Sequence, residues 1–431
     1  MRKRQGRREP GPGAVPVELP VGQAVPGALA RSRPFAALRH PYYRRLWGGA
    51  LISNVGGWMQ TVAQGWLVLE LTDSALMLGV VGFAATLPML LLLLIGGVFA
   101  DRLDRRRLLI RMQIALMLVA ATLAALTWTG TVAVWHIIAL ALFSGSALAL
   151  AMPAYQAFVQ DLVGREDLQN AIALNSAQFN LSRVVGPALA GVAVGAIGLA
   201  GCFAVNAASF VAAIAALLSI QVPSRPAPSP APLWKSVIEG FAYVRSRPRV
   251  QALLLLTALI SVLAMPYTTL LPIIARDTLG LGADGLGYLF AVGGIGAVAG
   301  ALSLAIRGRF PRRGLYLLGC AAGTGAATLA LGLARSPIAA GAALVAISFA
   351  ATSSIALGNS LLQELVDDAM RGRVLSMFGL AFVGTFPIGN LLSGGLAHAT
   401  SASTALVLTG ATLLAVALIV VVRAPRLRAL A

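Results

Sequence analysis

The chain has 431 residues, of which 58% are hydrophobic and only 11% charged, and its mean hydropathy is +0.83. Soluble domains carry about 25% charged residues, so the composition excludes an ordinary water-soluble globule. Two cysteines (Cys202, Cys320) and three scattered histidines (His40, His136, His398) exclude a disulfide framework or a clustered metal centre.

The net charge of +18 is not gathered on one domain, as a nucleic-acid surface requires. It falls in bursts between long uncharged runs, the pattern of loops joining membrane spans. Residues 1–34 are Arg-, Pro- and Gly-rich without an apolar core, so no signal peptide is expected. They read as a disordered basic tail, either touching anionic lipid or uninvolved.

A span needs about 20 apolar residues. The charge-free runs 46–69 and 75–100 each supply one. The runs 112–160 and 184–224 are too long for one helix and break at Thr129-Gly130-Thr131 and between Gly195 and Gly201. The first helix of the second run must begin before Arg183, near Asn170. Past the centre, 250–275, 285–306, 314–334 and 336–363 give one span each, and 374–422 breaks between His398 and Ser403 into two. The expectation is an all-α integral membrane protein of twelve transmembrane helices, because lipid forces every backbone polar group to pair within its own segment.

Thirty of the thirty-three Lys and Arg fall on the side of both termini, Arg276 and Arg335 on the other, and Arg183 inside helix 5. The bias expects both termini in the cytoplasm and the chain in the inner (plasma) membrane.

Ala50-Leu51-Ile52-Ser53 recurs as Ala258-Leu259-Ile260-Ser261, an offset of 208 that also maps Leu78-Gly79 onto Leu286-Gly287 and Arg105 onto Arg313. An offset of 207 maps Gln156, Val159 and Asp161 onto Gln363, Val366 and Asp368. Further on, Gly186 to Gly191 matches Gly389 to Gly394. A register held across four places indicates two parallel six-helix halves with a path between them. The expected organisation is a tail at 1–34, halves at 35–221 and 250–422, a linker at 222–249, and a C-terminal tail at 423–431. Within the linker, Pro223 to Pro232 is too Pro-rich for helix. Trp234, Val237, Ile238, Phe241 and Val244 then share one face of a short interfacial helix.

Between helices 2 and 3 stands Gly97-Val-Phe-Ala-Asp101-Arg102-Leu-Asp104-Arg105-Arg106-Arg107. It resembles the loop motif of the major facilitator superfamily, with Asp104 in place of the second glycine. Phe35-x-x-Leu38-Arg39-His40-Pro41-x-Tyr43-Arg44, Trp66-x-x-x-Glu70-Leu71-Thr72-x-Ser74 and Arg371-Gly372-Arg373 resemble the branch of enterobactin exporters and macrolide efflux proteins. That resemblance implies the twelve-helix fold and export of a small amphipathic molecule by proton-coupled antiport. Uptake of a nutrient on the same fold is the alternative. The loop residues Gly97, Asp101, Arg102, Asp104, Arg105 and Arg106 would form a conformational switch, with Asp101 set against the positive N-terminus of helix 11.

In helix 5, Gly186, Pro187 and Gly191 resemble an antiporter motif, and small-residue packing explains them as well. Arg183 is the only charge well inside a span and a functional candidate because its burial in lipid is costly; snorkelling or pairing with Asp161 is the plainer reading. Glu70, at the far end of helix 1, is the best-placed carboxylate for proton exchange, and an interfacial glutamate without that role is the plainer reading. Asn54, Gln60 and Gln64 in helix 1, Asn175 and Gln178 in helix 5, Tyr267 in helix 7 and Asn390 in helix 11 are expected to line an uncharged polar cavity, with Ser53, Thr61, Ser182, Thr268, Thr269 and Thr385 beside them. Such a lining suits a neutral or weakly anionic amphipathic substrate. An enzyme would need clustered acid–base or metal-binding groups at membrane depth, so no catalytic, cofactor or metal site is expected. The expected partners are the bilayer, a small molecule and protons, with no nucleic acid, and the chain is expected to act as a monomer.

Overall fold

A computed structural model describes residues 35–222, 233–308, 310–423 and 428, with the backbone alone at 93–102 and 233–237. Among the described residues, helices and short turns account for the whole fold. In chain order the spans are α1 (Pro41–Thr72), α2 (Ala75–Arg102), α3 (Arg105–Trp128), α4 (Val134–Val163), α5 (165–197) and α6 (199–218). A linker helix, Leu233–Ser246, precedes α7 (Pro248–Thr278), α8 (Ala283–Arg307), α9 (Arg313–Leu333), α10 (Pro337–Leu365), α11 (Asp368–Ala399) and α12 (Ala402–Arg423).

The α4–α6 stretch is one hydrogen-bonded run broken only at Gly164 (φ 71°) and Gly198 (φ 69°). Both combine a positive φ with an extended ψ (−177° and −179°), a region open essentially to glycine alone. The chain therefore reverses with almost no loop. The expected break between Gly195 and Gly201 falls at Gly198, and the apolar span of α5 opens at Leu168, near the expected Asn170. Ten segments are long and apolar enough to cross a membrane, one of them the pair Leu168–Leu218 that Gly198 divides. The polar α1 completes twelve. Both chain ends therefore leave the same end of the bundle, the terminal end.

The start of the chain is zipped onto α5. Ala37 N–H donates to Asn170 Oδ1 (2.9 Å), and His40 Nε2 lies 2.8 Å from Asp167 Oδ2. Tyr43 donates to the Ala171 carbonyl and Asn175 Oδ1, both at 2.9 Å, and Trp47 Nε1 to the Leu174 carbonyl. Asp104 caps α3, accepting from Arg107 N–H at 2.9 Å, which gives the replacement of the motif glycine a physical role. Arg105 reaches both oxygens of Asp161 (2.8 and 2.9 Å), tying α3 to α4, and Arg106 donates to the Leu217 and Leu218 carbonyls at the end of α6. Arg105 is thus the partner of Asp161, so Asp161 is not a partner for Arg183. In the second half Arg313 pairs with Glu364 (2.7 and 2.9 Å), one helical turn before the Asp368 that the repeat register selects. The side chains of Asp101 and Arg102 and the surroundings of Gly97 lie outside the described residues, as do 1–34 and 223–232.

The linker helix docks on the start of α11. Glu239 pairs with Arg373 (3.0 Å), Tyr243 donates to Asp367 (3.1 Å), and Val244 is buried, while Ile238 and Phe241 stay exposed on the outer side.

Candidate functional site: a cavity between two glycine crossings

The halves meet at two related crossings. A methyl group on Gly287 of α8 would sit 2.5 Å from the Pro187 carbonyl oxygen, and one on Gly191 of α5 would sit 2.8 Å from the Asp284 carbonyl. At α2–α11, a methyl on Gly79 would lie 2.7 Å from the Asn390 carbonyl, with Gly394 equally close. Only hydrogen fits at such approaches, the small-residue mode of packing in membranes. Gly79 and Gly287, and Gly191 and Gly394, are the pairs the internal repeat relates, so the repeat register marks the seam between the halves. Gly186 lies instead against α1, where a methyl would meet Trp58 Cβ at 2.5 Å.

Three polar bridges accompany the crossings. Arg183 Nη2 (α5) donates to the Tyr267 hydroxyl (α7, 3.1 Å), which lies 3.1 Å from Ser348 Oγ (α10). Thr269 donates to Asn390 Oδ1 (2.8 Å), and Asn390 Nδ2 donates to Thr86 (α2, 3.3 Å). Arg276 at the end of α7 pairs with Asp73, just past α1, while its Nε donates to Asp277 (2.6 Å). These contacts lie at mid-depth and toward the end opposite the termini. Among the described residues these contacts join the halves toward that end.

Arg183 is only partly buried and sits about 27 Å along α5 at 1.5 Å per residue, since the helix begins at 165. Its guanidinium carbon lies 5.8 Å from the centre of the Trp58 ring, within cation–π range. A charge at that depth costs at least about 2.5–3.5 kcal/mol; the Tyr267 hydroxyl and the Trp58 face offset part of it.

Beside this junction lies a cavity of about 470 Å³. Ser53, Asn54, Gln60, Thr61 and Gln64 form one wall along α1, and Trp58, Phe179, Phe210 and Phe290 supply aromatic faces. The second half contributes only Thr268, Thr269, Pro272 and Phe290. Among the described residues, no carboxylate lines it. Asn206 Nδ2 donates to Gln60 Oε1 (2.6 Å), fixing one amide of the wall.

The remaining candidate residues stand elsewhere. Asn175 accepts from Tyr43 and Tyr155, and the buried Gln178 donates to the Trp47 carbonyl, so both tie α5 to its own half rather than face the cavity. Ser182 and Thr385 bond back to their own helices. Glu70 is exposed at the end of α1 and accepts from Trp66 Nε1 (2.7 Å), away from the cavity. Tyr267 and Asn390 belong to the junction. Sequence reasoning missed Gln113, Ser144 and Asn206 in the wall. A signal existed, because Gln113 and Asn206 are the single amides of otherwise apolar α3 and α6.

Twelve spans in two repeated halves around a central cavity define a membrane transporter. The family profile of transmembrane secretion effectors matches residues 32–430, and the chain belongs to that family of the major facilitator superfamily. The multidrug efflux pump Tap of Mycolicibacterium fortuitum is 28% identical over 88% of this chain and 95% of its own. The enterobactin exporter EntS of Shigella boydii is 30% identical over 83% of this chain and 85% of its own. Among solved structures, the nucleoside transporter NupG matches with a TM-score of 0.71 at 11% identity, covering 88% of this chain and 98% of that one. A bacterial homolog of the lysosomal transporter Spinster matches at 0.65 and 16%, covering 92% and 97%. These structures share the fold. The protein is a multi-pass membrane transporter and not an enzyme.

Proposed function

We propose that the protein exports a small, neutral or weakly anionic amphipathic molecule from the cytoplasm, exchanging it for protons. The carrying observation is the cavity, a wall of amides and aromatic rings with no carboxylate and with Arg183 at its edge. A cationic substrate would find no counter-charge there, whereas amide groups serve donors and acceptors alike. The direction follows from the efflux relatives and from the Lys and Arg excess at the terminal end, which sets that end in the cytoplasm. Loading from the cytoplasm requires this cavity to open at the terminal end. Proton coupling draws on the motif at Gly186, Pro187 and Gly191, which places α5 between α1 and α8, and on Glu70 as the proton-exchanging group. In the opposite state, Asp101 at the end of α2 would hold the positive N-terminus of α11.

The test is transport by purified protein in proteoliposomes, against a catecholate siderophore, a macrolide and a cationic dye, with and without a pH gradient. Gradient-dependent movement of a neutral or anionic compound in the export direction supports the reading. Preference for the cation contradicts the substrate class, gradient-independent movement contradicts the coupling, and movement inward makes the protein an importer.

A further inference from the structure

The linker helix has two unlike faces. The inner one grips α11 through Glu239–Arg373 and Tyr243–Asp367, and Gly240 passes so close that a methyl there would sit 3.3 Å from Met377 Sδ. The outer face has no protein against it. Ile238 is 50% and Phe241 64% exposed, and Ala242 and Arg245 are exposed beside them, at spacings that share one side of a helix. Only Arg247 separates this helix from Pro248, where α7 begins, so the outer face lies at the depth at which α7 enters the bilayer. Charge completes the pattern. The carboxylates at this end of the second half are engaged, Glu239 by Arg373, Asp367 by Arg247 (3.3 Å), Asp368 by Arg371 and Glu364 by Arg313. Among the described residues Arg245 and Arg249 have no carboxylate. Arg249 stands with Arg247 and Pro248 beside a cavity of about 270 Å³ whose apolar side is Val250 and Leu365.

We propose that the outer face of the linker helix binds anionic phospholipid of the leaflet at the terminal end. Headgroup phosphates lie against Arg245 and Arg249, and acyl chains against Ile238 and Phe241. Apolar residues facing away from the protein, flanked by arginines free to meet an anion, are what an interfacial helix needs to hold such a surface. Because the inner face grips Arg373 and Asp367, lipid on the outer face fixes the start of α11 at that leaflet. The inference is independent of the substrate and of the direction of transport.

The test uses the full-length protein in vesicles of equal parts phosphatidylglycerol and phosphatidylcholine. Both native cysteines are replaced by serine, and Ala242→Cys carries a fluorophore on the outer face. Brominated acyl chains, which quench the dye on contact, are placed on one lipid or on the other. The quenching constant for phosphatidylglycerol is expected to exceed that for phosphatidylcholine about fivefold, the contribution of one arginine at an anionic surface. Arg245→Gln/Arg249→Gln is expected to bring the ratio near one with the helix still docked, because neither arginine takes part in the pairing with α11. Arg39→Gln/Arg44→Gln removes two exposed arginines from the same end and is expected to keep the ratio. Equal quenching by both lipids in the parent, or a preference that survives Arg245→Gln/Arg249→Gln, overturns the proposal. A preference lost equally in Arg39→Gln/Arg44→Gln also overturns it, since the general charge of that end then gathers the lipid. Quenching by neither lipid puts the face in water and overturns it as well.

Discussion

Ser53 and Ser261 hold the same place in the internal repeat, yet Ser53 lines the cavity and Ser261 is buried, donating to the Phe382 carbonyl in α11. The contrast extends across the halves. The first keeps Asn54, Gln60, Gln64, Gln113 and Asn206 on an open wall, while the second presents two threonines, a proline and a phenylalanine. Where α5 carries Arg183, the matching register in α11 gives Phe386. The scaffold features common to both halves are the glycine crossings at the seam and, inside each half, the Arg105–Asp161 and Arg313–Glu364 ties. Duplication preserved how the halves touch and released what they bind. The first half carries most of the polar lining of the cavity.

The seam offers the strongest way to break this comparison. Gly287→Leu and Gly79→Leu place side chains where a methyl already meets a carbonyl at 2.5 and 2.7 Å. Each is expected to reduce transport on the order of tenfold or more, the equivalent of 1.4 kcal/mol. Electron-spin distance measurements should show the opposite end opening in both variants. A large effect in only one would mean that the two crossings are not equivalent.

Arg183 sharpens the difference between the halves. Arg183→Gln is expected to lose most transport, at normal expression, through the lost Tyr267 bond and the lost field in the cavity. Arg183→Lys separates these, since ammonium keeps the charge without the planar fork. Retained activity in Lys assigns the role to the field, and lost activity assigns it to directed contacts. Normal transport by Arg183→Gln would remove the residue from the account.

A smaller effect is expected at the Asp73–Arg276 pair, the inter-half ion pair among the described residues. Asp73 is well exposed, so the pair contributes about 0.2–1 kcal/mol at most. Asp73→Asn should shift the population toward the state open at that end and make the rate less sensitive to salt. Unchanged salt dependence would show that the glycine crossings alone close the gate. The smallest effect on transport is expected at Asp104→Ala. Loss of the α3 cap costs about 0.5–2 kcal/mol, lowering thermal stability in detergent while transport by folded protein stays normal. Its counterpart in the repeat, Arg312, provides no side-chain cap to α9, so Arg312→Ala should not carry the same cost.

Much of the architecture was legible because lipid permits few solutions. Charge-free runs of span length give the helices, and the repeat gives the halves and even the glycines of the seam. The start of α5 was legible because Arg165, Glu166 and Asp167 interrupt the apolar run just before the span that opens at Leu168. Glu364 was missed because the register shifted by one turn, which a sequence offset cannot follow. At the site, helical spacing placed polar residues on common faces but not the neighbour each face meets. Asn54, Gln60 and Gln64 face the cavity, whereas Asn175 and Gln178, equally polar and equally spaced, face α1. Gln113 was overlooked because a lone amide forms no stripe.

The central claim is that the first half's wall opens toward the terminal, cytoplasmic end. Thr61 is exposed in that wall, while Cys202 and Cys320 are buried. In a background with both native cysteines replaced by serine, Thr61→Cys can be treated with a membrane-impermeant thiol reagent in everted and in right-side-out vesicles. The account predicts fast labelling in everted vesicles, slow labelling in right-side-out ones, and protection by a transported compound. Fast labelling from the outside only would contradict it.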